Sequence, residues 1–290
     1  MNKKIDWGAY LYLAPVLLIL VTFNILPIFY SLAISFYSWD LIGKPEWVGV
    51  ENFSRLFDDP MFYKSIWNTL YYTIVSVPLS ILCSLAIALL LNNKIAGLGF
   101  YRTVYFIPVI TSINAVAIVW TFIYHPDFGL LNKLLLMTGL PAQKWLQDPF
   151  WAMPCIIFMS VWKGLGYNVI IFLAGLQNIP KHLYEAARID GASIRAQFRH
   201  ITWPLLSPTT YFVFVMSCIG SFQVFSQVYM MTPRGGPLKS TMVIVYYLYR
   251  KAFENFEFGY ALAMAFVLFI MIFGITLFNK LYLEKKVHYS

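Results

Sequence analysis

Charge is what this sequence has least of: Asp, Glu, Lys and Arg make up 12% of its 290 residues, against 60% hydrophobic residues and a mean hydropathy of +0.67. Soluble domains carry about 25% charged residues, so the deficit excludes an ordinary water-soluble globular fold. Cysteine is scarce too. The three present, Cys83, Cys155 and Cys218, each fall inside a long apolar run. An odd number at such positions excludes a disulfide scaffold and a cysteine-based metal cluster. The four histidines, His125, His182, His200 and His288, are scattered over loops and tail. No His/Cys/Asp/Glu group has metal-ligand spacing, no nucleophile sits with a base, and no G-x-x-x-x-G-K-[ST] loop occurs. The chain is therefore expected to be no enzyme, to bind no cofactor or metal, and to hydrolyse no ATP. Segments of alternating polarity are missing, which excludes a membrane β-barrel. Basic residues interleaved with aromatics are missing as well, so no nucleic acid is expected.

What fills the chain is apolar blocks too long for soluble helices. A bilayer core of about 30 Å needs about 20 apolar residues at 1.5 Å each, and six segments meet that length: 9–36, 66–91, 103–124, 151–176, 206–230 and 260–281. Backbone in lipid must satisfy its own hydrogen bonds, so the spans are helical. The expected fold is an all-α polytopic membrane protein of six transmembrane helices in a single domain, 1–290. Lys3 and Lys4 precede the first run as in a secretion signal, but the run continues past Pro27 with no small-x-small cleavage site, and it is expected to be retained. Basic residues lean towards the ends of the chain and its even-numbered loops. Only four of the thirteen acidic residues (Asp6, Glu185, Asp190, Glu284) lie on that side, which is read as cytoplasmic, both termini included.

The loop at 178–205 differs from the others. Pro180 suits the first turn of a helix and Gly191 a left-handed stop, giving a short helix between them. A second helical stretch begins near Ser193, with Ile194, Phe198, Ile201 and Leu205 on one face. From the residues alone this is a helix–turn–helix hairpin against the membrane, either an anchor or a docking element. The loops 37–65, 125–150 and 232–259 are large enough to meet a partner or to serve as solvated connectors.

Polar groups inside the spans mark a second region. Lys163 falls near mid-span in Val161-Trp-Lys-Gly-Leu-Gly-Tyr-Asn168, where a charge is costly and should face a wet cavity or an acidic partner. Gly164 gives room for a ligand, Tyr167 an aromatic face and Asn168 both donors and acceptors. Gly220, Gln223 and Gln227 fall on one face if their span is a continuous helix, and Thr111, Ser112 and Asn114 follow a kink expected at Pro108. These residues either line a pathway or glue the helices together by hydrogen bonds.

The string Ile179-Pro-Lys-His-Leu-Tyr-Glu-Ala-Ala-Arg-Ile-Asp-Gly-Ala, followed by Ile201-x-x-Pro204, resembles the cytoplasmic signature of permease subunits of binding-protein-dependent ABC importers of the sugar group, maltose and glycerol-phosphate types included. Asp127-Phe-Gly129 and Arg234-Gly-Gly-Pro237 resemble the same group. The resemblance implies the type I importer permease fold in a bacterial cytoplasmic (inner) membrane. It implies a second permease, forming a heterodimer, an ATPase dimer that binds ATP and Mg, and an extracytoplasmic binding protein that delivers a sugar or oligosaccharide, an acidic one being admitted by Lys163. It assigns Glu185, Ala186, Ala187, Gly191, Ile201 and Pro204 to coupling with the ATPase. It assigns Lys163, Gly164, Tyr167 and Gln223 to the substrate pathway, where Asn168, Gln227 and Asn114 join them on chemical grounds. The competing class is a self-sufficient secondary transporter or channel, in which the hairpin is only an anchor.

Overall fold

The computed structural model describes residues 7–93 and 97–283. In chain order the helices α1 (Trp7–Leu20) and α2 (Leu26–Ile34) are joined by a π-helical turn. A hairpin of β1 (Tyr37–Ser38) and β2 (Glu46–Trp47) follows, then α3 (Glu51–Phe57), α4 (Pro60–Leu91), α5 (Leu98–Ile110), α6 (Ile113–Ile123), α7 (Leu130–Met137) and α8 (Ala152–Gln177). The remainder comprises α9 (Lys181–Ile189), α10 (Ile194–Gln197), α11 (Trp203–Leu205), α12 (Ser207–Phe222), α13 (Ser226–Met231), α14 (Ile244–Tyr249) and α15 (Phe258–Phe278). Among the described residues four helices are long and apolar enough to cross a membrane, and up to six spans result if two bent pairs, at α5–α6 and at α10–α12, each count as one. The two-residue strands are the departure from an all-α chain among the described residues.

Three departures from the expected spans have local causes. The helix expected from 66 begins at Pro60, because proline at the first helical position loses no hydrogen bond and the helix starts outside the apolar window. The kink expected at Pro108 lies at Thr111–Ser112, where extended backbone turns α5 into α6 through 100°. The span expected to run unbroken through 206–230 stops at Gln223: the Gln223 and Val224 N–H groups close α12 with tight bonds to Gly220 and Ser221, and α13 restarts at Ser226.

The chain forms two compact units, Met1–Pro60 with Leu248–Ile270, and Met61–Tyr247 with Met271–Ser290. The first is organised by Asn52, buried at the start of α3, whose amide donates to the Ser35 and Tyr37 carbonyls at 2.9 Å each. The Tyr37 carbonyl also lies against Gly259, leaving no room there for a Cβ. Glu257 sits between Arg55 (2.6 Å) and Lys251 (2.8 Å), and both cations lie over the Tyr260 ring. Burial pushes the Glu257 carboxyl up, but the hydrogen bonds and charges of its two cationic partners outweigh this and hold it below the ordinary carboxylate range. The sign follows: the folded-state pKa is depressed, so the clasp stabilises fully above the ordinary carboxylate pKa and is lost as pH falls through the folded value. Glu257→Gln is expected to lower the melting temperature at neutral pH and to flatten the acid limb of a melting-temperature-versus-pH profile, the variant and the wild type converging as pH falls.

The second unit is held by polar side chains that close loops onto helices. Asn132 in α7 is 2% exposed. Its amide donates to the Pro126 and Gln143 carbonyls at 2.7 and 2.9 Å, while its oxygen accepts from the Gln143 N–H and the Trp145 indole at 3.0 and 2.7 Å. Trp145 is held at φ +38°, a conformation unfavourable for a side chain of that size. Asn132→Leu keeps the volume and strands four polar groups. At about 1–3 kcal/mol for each group left buried and unmet, a loss of several kcal/mol is expected, read as a large fall in melting temperature. The Arg234–Pro237 turn is fixed similarly: Asn68 of α4 donates to the Lys239 and Met242 carbonyls at 3.0 Å each, and Thr69 accepts from the Ile244 N–H at 3.0 Å.

Candidate functional site

A cleft of ≈ 320 Å³ opens between α4, α8 and α12. On α4, Tyr72, Ser76 and Ser80 recur every four residues and so share a face. α8 contributes Ser160, Gly164, Tyr167 and Asn168, and α12 contributes Ser217, Gly220 and Ser221. The lining is rich in hydroxyls, with one amide and two phenol-bearing rings, and it carries no charge. Such a surface offers hydrogen bonds of both senses and an aromatic face to a polyhydroxy ligand without the desolvation cost of burying an ion. Gly164 has nothing within 4 Å of a would-be Cβ, so the cleft floor there is open. Asn168 is oriented by donating to Ser80 Oγ at 3.0 Å.

The sequence-derived pathway residues divide between the cleft and elsewhere. Gly164, Tyr167 and Asn168 line it. Gln227 in α13 lies behind it, its amide 3.4 Å from both Tyr72 Oη and Ser160 Oγ. Gln223 and Asn114 are exposed and do not line it. Gly220, Gln223 and Gln227 do not form one helical face, because the chain breaks between α12 and α13. Lys163 points away from the cleft: its ammonium lies 3.3 and 3.5 Å from the Pro108 and Val109 carbonyls. Those carbonyls belong to the last turn of α5, which has no next turn to donate to them, so the lysine meets the negative end of a broken helix. The residues that sequence reasoning missed are the serines. Their signal was present as the four-residue spacing Tyr72, Ser76, Ser80, inconspicuous because single serines are common in apolar helices.

The 178–205 hairpin is described throughout. Pro180 is the N-cap of α9, one residue before the expected first turn. At the other end Gly191 has φ +75°, the Gly191 N–H bonds the Arg188 carbonyl at 3.1 Å and the Ala192 N–H bonds the Ala187 carbonyl at 2.8 Å. That paired closure is a Schellman motif, which needs a left-handed residue where glycine stands. Ser193 caps α10, accepting from the Ala196 N–H at 3.3 Å. Of the face expected from Ile194, Phe198, Ile201 and Leu205, Ile201 and Leu205 pack inward and Phe198 is half-buried; the turn Phe198–Thr202 is π-helical and inserts one extra residue before Pro204. Proline lacks the N–H that His200 would accept in a regular helix, and its ring would strike that carbonyl. Thr202 and Leu206 are consequently buried, whereas Ile194 is 86% exposed.

The hairpin has an inner and an outer side. Tyr184 and Thr202 join hydroxyls at 2.9 Å, and Tyr184, Ile201 and Leu205 pack on the buried cluster of Leu85, Phe172, Leu176 and Leu206. Glu185, Ala186 and Gly191 are exposed, Ala187 and Pro204 half-buried. Ile189 and Ile194, 87% and 86% exposed, flank Gly191 on the free side.

Residues 60–288 match the family described as binding-protein-dependent transport system inner membrane component. The probable ABC transporter permease protein YesP of Bacillus subtilis (strain 168) is 38% identical over 279 residues, spanning 95% of this chain and 90% of that protein. The lactose transport system permease protein LacF of Rhizobium radiobacter is 35% identical over 280 residues, 94% and 92% of the two chains. Among solved structures, a chain of a bacterial ABC transporter involved in the import of the acidic polysaccharide alginate superposes with a TM-score of 0.82 at 26% identity, over 95% of this chain and 94% of that one. With a family match across most of its length and relatives aligned almost end to end, the chain belongs to the binding-protein-dependent transport system inner membrane components, as an ABC transporter permease.

Proposed function

We propose that this permease forms one half of the path of an ATP-driven sugar or oligosaccharide importer, with six spans and both termini cytoplasmic. It works with a second permease, an ATPase dimer that alone holds ATP and Mg, and an extracytoplasmic binding protein. The observation that carries the reading is the continuity of α8: it lines the cleft through Gly164, Tyr167 and Asn168, then passes through Asn178 and Pro180 into the exposed hairpin. A push on α9 is thereby a displacement of the cleft wall, and α11 and α12 carry the same push to Ser217 and Ser221.

Coupling is assigned to Glu185, Ala186, Ala187 and Gly191 on the hairpin, together with Ile201, which seats it on the cluster beneath, and Pro204. The small alanines let a partner surface approach, Glu185 offers a carboxylate to a basic residue, and Ile189 and Ile194 supply apolar contact. Sugar is assigned to the cleft, where the Tyr167 ring and the amide of Asn168 stand among hydroxyls. Lys163, Gln223, Gln227 and Asn114 do not line the cleft and are proposed to reach the path as α8, α6 and the break between α12 and α13 move. An acidic cargo would depend on Lys163. Relatives point the same way: one is a lactose permease by name and one solved neighbour serves alginate import. The test is ATP-dependent sugar uptake by the reconstituted transporter. Tyr167→Ala and Asn168→Leu are expected to raise the sugar concentration for half-maximal uptake about tenfold or more, the scale of one lost ~1.4 kcal/mol contact, with ATPase co-purification intact. Lys163→Met is expected to act in the same assay only on acidic sugars. Unchanged sugar dependence in both Tyr167→Ala and Asn168→Leu would remove the cleft from the path.

A further inference from the structure

A groove of ≈ 530 Å³ runs between α5 and α8, separate from the cleft and sharing no residue with it. Its walls are apolar, with Phe106, Ile107 and Ile110 of α5 facing Ile170, Leu173 and Ala174 of α8, and its polar residues are Arg102, Thr103, Tyr105 and Gln177. Arg102, Thr103 and Gln177 share one end. Lys163 meets Pro108 and Val109 while Gly166, further along α8, lies against the Tyr105 carbonyl, so the two helices run antiparallel and the last residue of α8 falls beside the start of α5.

Arg102 is exposed and forms no ion pair or hydrogen bond among the described residues. Phe100 and Tyr101, 71% and 47% exposed, sit beside it in the first turn of α5. Exposed aromatics next to a cation at the end of a spanning helix are the mark of the headgroup level. From Arg102 to Ile110 the helix rises about 12 Å, less than half the ~30 Å hydrocarbon core, so the groove runs from the headgroups into one leaflet. A planar guanidinium at the mouth of such a groove fits a phosphate with two parallel hydrogen bonds.

We propose that this groove is a binding site for an anionic phospholipid, with the phosphate on Arg102, assisted by the Gln177 amide, and one acyl chain laid between α5 and α8. Charge selects the occupant. A zwitterionic headgroup brings its own cation to Arg102, whereas a net-negative one does not. A lipid held there bridges α5 to the end of α8 that leads into the hairpin.

The intact transporter, purified from membranes and exposed to equal amounts of phosphatidylglycerol and phosphatidylcholine, is examined by native mass spectrometry for retained lipid. The wild type is expected to retain phosphatidylglycerol several-fold over phosphatidylcholine, with a preference that shrinks as salt rises. Arg102→Gln is expected to abolish the preference, Arg102→Lys to keep most of it, and Ala174→Trp, which fills the groove, to reduce retention of both lipids. All are compared as monodisperse complexes. Equal retention of the two lipids by the wild type, or an undiminished preference in Arg102→Gln, overturns the proposal. So does efficient cross-linking of Ala174→Cys to the partner permease, which would make the groove a subunit interface.

Discussion

Gly191→Asp is expected to bring ATP-driven uptake to background while the permease stays folded in the membrane. Both halves follow from the geometry. Gly191 sits at φ +75° with nothing within 4 Å of a would-be Cβ, so an aspartate meets no wall. The fold pays only the left-handed conformation, about 1–2 kcal/mol and less for aspartate than for most residues, together with ~0.3–1 kcal/mol for an anion at the negative end of α9. A cost of that size does not unfold a membrane protein. What changes is the outward surface between Ile189 and Ile194, where an unpaired carboxylate replaces a bare turn. If that surface is gripped by an ATPase, an anion desolvated in the contact costs several kcal/mol and releases the motor. Glu185→Lys is expected to give the same phenotype from the other side of α9. The checks are the amount of permease in membranes, the ATPase retained on purification, and uptake. Wild-type retention and uptake in both variants would leave the hairpin as an anchor.

Gly166→Leu is expected to be the most damaging substitution in α8 for stability, and Gly164→Ala, two residues away, nearly neutral. A Cβ at Gly166 runs into the Tyr105 carbonyl and the Val109 side chain, and a backbone carbonyl within a helix cannot swing aside. Overpacking costs about 1–3 kcal/mol where side chains can give way, and more is expected where backbone must move. α5 is then forced off α8, and Lys163 loses its approach to the Pro108 and Val109 carbonyls, leaving an ammonium and a helix end both unmet. At Gly164 the added methyl projects into the open cleft. Thermal melts of the purified complex should separate the two variants widely, with Gly164→Ala near the wild type in stability but slower in uptake. Equal melting temperatures would show that the α5–α8 contact does not carry the fold.

The helical class and the apolar runs were legible because the bilayer imposes a length and a composition that few sequences meet by chance. Chain breaks were less legible, since they depend on backbone bonding that composition does not encode. Pro108 drew attention to the third run, yet the turn falls at Thr111–Ser112, where Lys163 from another helix meets the exposed carbonyls. The stop at Gln223 carries no proline and only Gly220 nearby, so a continuous helix was the natural expectation. In the hairpin the ends were readable from Pro180 and Gly191, and Ile201 and Leu205 pack inward as their spacing indicates, but with one inserted residue ahead of Pro204 the most buried positions are Thr202 and Leu206, and Ile194 lies outside. Among site residues, Gly164, Tyr167 and Asn168 stood out as polar or small groups close together in one span, and the cleft gathers them. Lys163 stood out more strongly, as a charge in a membrane must, but its energetic problem is met by α5 carbonyls. The serines of α4 escaped notice because a hydroxyl in an apolar helix usually returns its hydrogen bond to the preceding turn, as Ser84 does to Ser80 at 2.6 Å.

The central claim is that this chain converts motion at an exposed hairpin into opening of a sugar cleft and supplies no energy of its own. Sealed vesicles carrying the complete transporter, with binding protein and labelled sugar outside, test it most directly. Uptake is expected only when ATP is enclosed, to be indifferent to proton and sodium gradients, and to vanish in Gly191→Asp vesicles. Accumulation driven by an ion gradient in vesicles without ATP would contradict it.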